Sequence, residues 1–337
     1  MPATAGRQRI KRLNRFEMDK YEAYEKYGDY EENTLPKWES NRHRKFKHRN
    51  EVKKKLVVDQ ADLSDFSDDI SEWVPSYAAA LDPLHYERQW IIDSLGPFYR
   101  NQIITDVIRR VKGGKEANVY CCIAHPASGF ELIAAKLYRP RSLRMLKNDA
   151  IYKAGRLLRD EEGKQIKGRR EKLALAQKTR FGKHLDTMWW IGNEFSAQQK
   201  LFDVGADVSR PIGHIGNAIL MDYIGDEQLP APTLNDVSLD KSEAEDLFPI
   251  VIDNIQLMLE NHFVHGDLSP YNILYWNSDI KIIDFPQIVE ARQNPHAYQL
   301  LKRDIKRVCS YFARFQIKSD PEQMSRDFWE PYMGRID

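Results

Sequence analysis

Apolar and polar residues alternate along this chain in ways that change from segment to segment. Residues 1–55 interleave aromatic and charged positions, as in Lys20-Tyr21-Glu22-Ala23-Tyr24-Glu25-Lys26-Tyr27, with too little aliphatic content for a core of their own. From Pro83 to about Asn101 the positions His85, Tyr86, Trp90, Ile91, Ile92 and Leu95 recur at helical spacing, and Gly96-Pro97 predicts a break. Short β-like runs follow at Ile103–Val111, Val119–Ile123 and Glu131–Tyr138, and again at Val208–Pro211 and Ile219–Gly225. A helix is predicted from Trp189 to about Val204, with Phe195, Leu201 and Phe202 on one face. A long apolar helix, Ala244–Asn261, then leads into two brief apolar strands around Val264 and Lys281–Ile283, and a last helix spans Tyr298–Phe315.

Charge sharpens this division. The formal net charge of +1 over 337 residues conceals strong segregation. Residues 1–55 are basic, with Arg42-His43-Arg44-Lys45-Phe46-Lys47-His48-Arg49 as the densest cationic block. Asp59, Asp62, Asp65, Asp68, Asp69 and Glu72 make an acidic linker, and a second basic zone covers residues 139–187. Such basic segments suit RNA or an acidic protein, and equally a solvated tail. Cys121 and Cys122 would point to opposite faces of a strand, which makes them poor joint metal ligands. With Cys309 they read as free thiols. Neither a secretory signal nor an apolar run of about 18 residues is present, so a cytoplasmic protein is expected.

The chemistry concentrates in Val264-His265-Gly266-Asp267-Leu268-Ser269-Pro270-Tyr271-Asn272 and the following Lys281-Ile282-Ile283-Asp284-Phe285. Asp267, Asn272 and Asp284 offer hard oxygen atoms from tight turns between apolar strands, an arrangement suited to a divalent cation and a phosphate ester. The spacing matches the catalytic loop and metal-binding Asp of the protein-kinase-like fold. That predicts an α+β protein of two lobes: an antiparallel sheet in the N-lobe and a reduced helical C-lobe. Upstream, Gly113-Gly114 lies between strands, where backbone N–H groups can face phosphates; alone it equally makes a hairpin turn. Lys136 stands among small residues on a strand, as in kinases, and Glu194 on the next helix is placed to pair with it. By itself a strand Lys or a helical Glu is commonly solvated. The strand ending at Gly225 is positioned as a hinge.

Taken together, the chain resembles the RIO family of atypical protein kinases. The resemblance rests on Gly114-Lys115-Glu116-Ala117-Asn118-Val119-Tyr120, Lys136, Glu194, Met221-Asp222-Tyr223-Ile224-Gly225, His265-Gly266-Asp267-Leu268-Ser269 with Asn272, and Ile283-Asp284-Phe285-Pro286-Gln287, and it covers about residues 100–315. The phosphate loop is similar to the first RIO subfamily and Ile283–Gln287 to the second. The resemblance implies that ATP binds with Mg2+ or Mn2+. Residues Gly113, Gly114, Lys115, Glu116, Ala117, Asn118 and Val119 would cover the phosphates. Lys136 would contact them, oriented by Glu194. Adenine would meet backbone groups near Met221, Asp222, Tyr223 and Ile224. Asp267 would accept the hydroxyl proton, and Asn272 and Asp284 would hold the metal. It further implies that Asp284 can accept phosphate in an ATPase cycle.

The expected organisation is a charged extension over residues 1–75, disordered or partner-docking; an N-lobe over 76–225 containing the basic insertion; and a C-lobe over 226–337. The stretch after Asp284 is short and carries no Ala-Pro-Glu signature, so the usual peptide-docking lobe is not expected. The expected activity is an ATP-dependent serine/threonine protein kinase, an ATPase, or both. Two other readings stand beside it: a small-molecule phosphotransferase of the aminoglycoside or choline type, and a nucleotide-binding scaffold contacting RNA or a ribosomal particle through residues 7–55 and 139–187.

Overall fold

A computed structural model describes residues 73–114, 116–139 and 180–334, with backbone alone for residues 180–188. The expectations for residues 1–72, Lys115 and the basic zone 140–179 lie outside the described residues. Two compact units divide after Gly96. The first holds a one-turn helix, Ser76–Ala79, and the start of helix α1, Tyr86–Arg100. Helix α1 runs through Gly96-Pro97 rather than stopping there. An interior Pro forfeits one hydrogen bond and costs about 3 kcal/mol. Phe98, just beyond it, is fully buried. Burying a side chain of that size contributes about 1.5–3 kcal/mol, which offsets much of the cost.

The second unit opens with a five-stranded antiparallel sheet in the order β1-β2-β3-β5-β4. Its strands are β1 (Ile104–Gly113), β2 (Ala117–Ala124), β3 (Leu132–Tyr138), β4 (Pro211–Ile215) and β5 (Ala218–Asp222). β3 is central and nearly every residue in it is buried, which explains its continuous apolar run in place of alternation. Val208 stays outside β4 and forms an isolated parallel bridge to Ile282. Cys121 and Cys122 are free and buried.

Helix α2 (Arg180–Asp203) begins nine residues before the predicted Trp189. Phe181, Leu185 and Met188 recur at helical spacing and carry the signal that the surrounding charges obscured. After β5 the chain becomes helical. Helix α3 (Lys241–Glu260) starts at a capping box: the Glu243 N–H donates to Asp240 Oδ1 and the Asp240 N–H to Glu243 Oε2, both at 2.8 Å. Ala244, Leu247, Val251, Ile255 and Met258 bury one face of it. Then come β6 (Phe263–Val264), β7 (Ile273–Trp276), β8 (Asp279–Ile282) and β9 (Val289–Glu290), paired as two small antiparallel sheets, β6 with β9 and β7 with β8.

Helix α4 (Ala297–Phe312) buries Leu301, Ile305, Val308 and Phe312 in the same core as α3. Helix α5 (Pro321–Met333) follows and was not read from the sequence, although Asp320-Pro321 is a cap-and-start signal. Asp320 Oδ1 accepts from the N–H groups of Glu322 and Gln323, and Lys302 of α4 pairs with Glu322 at 2.6 Å. A five-stranded antiparallel sheet followed by a compact helical half is the α+β arrangement that the sequence predicts.

Candidate active site

Strand β3 and helix α2 set the first group of charges. Period-two alternation puts Ala134, Lys136 and Tyr138 on one face of β3, with Lys136 opposite Val119 on β2 and Ile219 on β5. Glu194 comes from the buried stripe of α2 that also holds Trp190, Ala197 and Leu201. Lys136 Nζ lies 2.8 Å from Glu194 Oε1 and 2.6 Å from Asp284 Oδ1. The Tyr138 hydroxyl donates to the other Glu194 oxygen, Oε2. Tyr138 also stands edge-on to Trp190, whose indole N–H donates to the Pro286 carbonyl at 2.9 Å. One helix therefore grips both the Lys136 carboxylate partner and the segment that follows Asp284.

Burial drives the Lys136 ammonium toward neutrality, yet the Asp284 and Glu194 carboxylates outweigh it and hold its pKa well above the ordinary value. Burial pushes the Glu194 carboxyl up despite Lys136. Asp284 is held below the ordinary carboxylate value: burial opposes this, and Lys136, with Lys112 behind it, prevails. The open 40% of the Asp284 side chain faces the cavity it lines. Its backbone adopts φ 72°, a left-handed conformation uncommon for a residue with a Cβ.

The catalytic-loop stretch is shaped from within. The Asp267 N–H donates to His265 Nδ1 at 3.3 Å, so Nε2 carries the ring proton and gives it to the Ile283 carbonyl at 3.2 Å. Burial lowers the His265 pKa and keeps the ring neutral. His265 thus ties the loop to the strand ending in Asp284. The buried Asn272 donates its amide to the Asp267 carbonyl at 2.9 Å, which leaves its hard oxygen atom for other use.

Helix α4 anchors the loop from below, through residues that sequence reasoning missed. Asp304 Oδ2 accepts the Gly266 N–H at 2.8 Å. Arg303 donates to the Gly266 carbonyl. Arg307 Nη1 lies 2.7 Å from Asp267 Oδ1. Burial pushes the Asp304 carboxyl up to about 7, against Arg303 and the loop N–H groups, which act to lower it.

These elements enclose a cavity of about 690 Å3. Of the predicted residues, Gly114, Glu116, Ala117, Val119, Lys136, Glu194, Met221, Asp222, Tyr223, Ile224, Asp267 and Asp284 line it. Gly113, Asn118 and Asn272 do not, and Lys115 lies outside the described residues. Asn118 instead ties β2 to the end of β3: its amide donates to the Tyr120 hydroxyl at 3.0 Å and its oxygen accepts from Arg139 at 3.1 Å. Gly114 is required for space, since a Cβ there would sit 2.8 Å from the Ala117 carbonyl. Ala134, Leu274 and Ile283 contribute apolar wall.

At the hinge, the Ile224 carbonyl is spent on the Ala231 N–H at 2.9 Å. Gly225 has φ 138°, and a Cβ on it would come within 2.5 Å of the Leu229 carbonyl. Arg109 clamps this turn from β1, donating to the Tyr223 hydroxyl at 2.7 Å and to the Asp226 carbonyl at 3.1 Å. A basic residue on a strand carries no local sign of such a role. Among the described residues, no helix is long and apolar enough to cross a membrane.

Comparison with known proteins brings the same stretch forward. A family model described as the RIO domain matches residues 145–324, more than half of the chain. The RIO-type serine/threonine-protein kinase Rio1 of Thermoplasma acidophilum is 35% identical over 135 residues, which is 40% of this chain and 69% of that protein. Human serine/threonine-protein kinase RIO1 is 32% identical over 64% of this chain and 34% of its own length. The Rio2 of Methanocaldococcus jannaschii is 36% identical over 40% of this chain and 49% of its own length. The match therefore spans less than half of the latter two relatives. Among solved structures, the Rio2 kinase from Chaetomium thermophilum superposes with a TM-score of 0.45 at 20% identity, over 71% of this chain and 67% of that chain. On the family match and the Thermoplasma relative, the chain belongs to the RIO domain family.

Proposed function

We propose that the chain is an ATP- and Mg2+-dependent phosphotransferase. It moves the γ-phosphoryl group of ATP to a protein serine or threonine, its own included, and hydrolyses ATP when water takes the acceptor's place. The observation that carries this reading is Lys136, held between Glu194 and Asp284 at the wall of a cavity sized for a nucleotide.

The residues divide the work. Glu194 holds the Lys136 ammonium toward the cavity, where it meets the α- and β-phosphates as a point charge. The β1–β2 hairpin covers the phosphates, and the apolar walls at Ala134 and Leu274 take the adenine. Asp267 receives the acceptor hydroxyl within hydrogen-bond reach and takes its proton; its carboxylate is aimed by Arg307 and its backbone by His265 and Asn272.

Asp284 and the Asn272 amide oxygen would supply the hard oxygen donors for the metal. Glu194 and Asp284 together exceed the single charge of Lys136, so the surplus negative charge fits a divalent cation. When bound there, Mg2+ or Mn2+ offsets the charge on the phosphate oxygens. RNA contact through residues 7–55 and 139–187 belongs to the same proposal and rests on their charge; affinity falling steeply with added salt tests it.

Incubation with γ-labelled ATP and Mg2+, separating labelled protein from released phosphate, tests the reading. Label on Ser or Thr that survives hydroxylamine is expected for kinase chemistry, and label on Asp284 that hydroxylamine releases marks hydrolysis through an acyl phosphate. Lys136→Ala and Asp284→Asn should each abolish turnover; undiminished turnover in either rejects the assignment.

A further inference from the structure

Helix α4 does more than anchor the loop. Arg303, Lys306, Arg307 and Ser310 recur at three- and four-residue spacing and share one face of it. The single acid of α4, Asp304, is buried beneath the catalytic loop. Lys302 is paired with Glu322. Lys306 is exposed and has no ion-pair partner among the described residues. Arg307 gives one guanidinium N–H to Asp267 and keeps 40% of its side chain open. The outward face of α4 is therefore cationic, and α4 itself contributes no exposed acid to it.

Position makes this charge consequential. An acceptor hydroxyl must come within hydrogen-bond reach of the Asp267 carboxylate. Arg307 then lies one carboxylate away, and the exposed Lys306 is its neighbour on α4, so side chains flanking the hydroxyl on that side meet these cations. Acidic neighbours are attracted and basic neighbours repelled, which is how charge across an interface selects partners. We infer that Lys306 and Arg307 select the acceptor: a polypeptide whose serine or threonine is flanked by acidic side chains. The inference rests on the phosphotransfer reading of the cavity, which calls for a hydroxyl-bearing side chain and so favours a polypeptide over nucleic acid.

The acidic stretch of this chain's own sequence has the required pattern, Ser64-Asp65, Ser67-Asp68 and Ser71-Glu72, and supplies a probe. A fluorescent peptide reproducing residues 59–72 and a copy with every acid changed to its amide are titrated against the full chain, with Mg2+ and a non-hydrolysable ATP analogue. The acidic peptide should bind about ten-fold tighter, and the preference should fade with added salt. Lys306→Glu should weaken it by about five-fold while leaving ATP hydrolysis unchanged, and Arg307→Glu should weaken it further. Equal binding of the two peptides overturns the inference, as does an unaffected Lys306→Glu variant. So does a single-stranded RNA that displaces the peptide at concentrations below the peptide's own Kd. Label transfer from γ-labelled ATP separates the two readings. Transfer to both peptides alike defeats the selector and leaves phosphotransfer intact. An acidic preference in binding, with no transfer to any acceptor, defeats the phosphotransfer reading instead.

Discussion

Two ion networks flank the cavity, and they are built to opposite standards. At the end proposed for the nucleotide, Lys136, Glu194 and Tyr138 are buried, and every polar atom of the Glu194 carboxylate is engaged. At the end proposed for the acceptor, Asp267 and Arg307 keep 38% and 40% of their side chains exposed. Removing one partner of a buried pair strands a charge in a poor solvent, at about 3–5 kcal/mol. An exposed pair contributes about 0–1 kcal/mol because water replaces the lost partner. The nucleotide end is therefore costly to alter and held in one geometry. The Asp267 end can exchange partners cheaply, in keeping with the acceptor site proposed for it.

The sharpest way to break this contrast is Glu194→Ala. It removes one of the two carboxylates that hold Lys136 and the acceptor of the Tyr138 hydroxyl, so urea denaturation should show a loss of about 3–5 kcal/mol, together with loss of ATP turnover. A loss below about 1 kcal/mol would erase the distinction between the two ends.

Asp304 tests whether burial also governs the acceptor end from beneath. Its pKa is raised from 3.8 to about 7, so the carboxyl binds its proton more tightly in the folded chain than in the unfolded one. Its contribution to stability is fully present below about pH 4 and is lost as pH rises to about 7. The full span corresponds to on the order of 4 kcal/mol. Asp304→Asn mimics the protonated form, so its thermal stability relative to the parent should rise between pH 5 and pH 8. A difference independent of pH would refute the raised pKa.

Arg109→Ala comes next in size. It removes the clamp on Tyr223 and Asp226 without touching the charged networks. KM for ATP should rise several-fold with kcat little changed, since each lost hydrogen bond contributes about 1 kcal/mol. The smallest effect on stability belongs to Arg307→Gln: a change under about 1 kcal/mol, seen as a nearly unmoved urea midpoint, alongside a reduced kcat for peptide phosphorylation.

The catalytic-loop stretch, Asp284, Lys136 and Glu194 could all be picked out before any coordinates. Asp267, Asn272 and Asp284 lie in one short run, where loop geometry imposes its own spacing, and Lys136 sits on a strand whose small residues mark a close approach. Arg307 and Asp304 could not be picked out, because α4 is a basic amphipathic helix in sequence and its contacts with Gly266 and Asp267 cross 37 to 40 residues. Arg109 meets the hinge across 114 residues. The early start of α2 and the passage of α1 through Gly96-Pro97 were likewise obscured, the first by charges around a sparse apolar stripe and the second by a burial term that no local propensity contains.

Local chemistry thus settled the residue types at the site, the strand and helix that carry them, and the α+β order of elements, because hydrogen-bonding loops and apolar periodicity act over a few residues. Tertiary packing alone decided that the Glu194 carboxylate is shared between Lys136 and Tyr138, that Asp304 is buried deeply enough to titrate near neutrality, and that Arg307 reaches Asp267. Each of these depends on which distant side chains exclude water from a charge, and desolvation is a property of the assembled core that no stretch of chain possesses by itself.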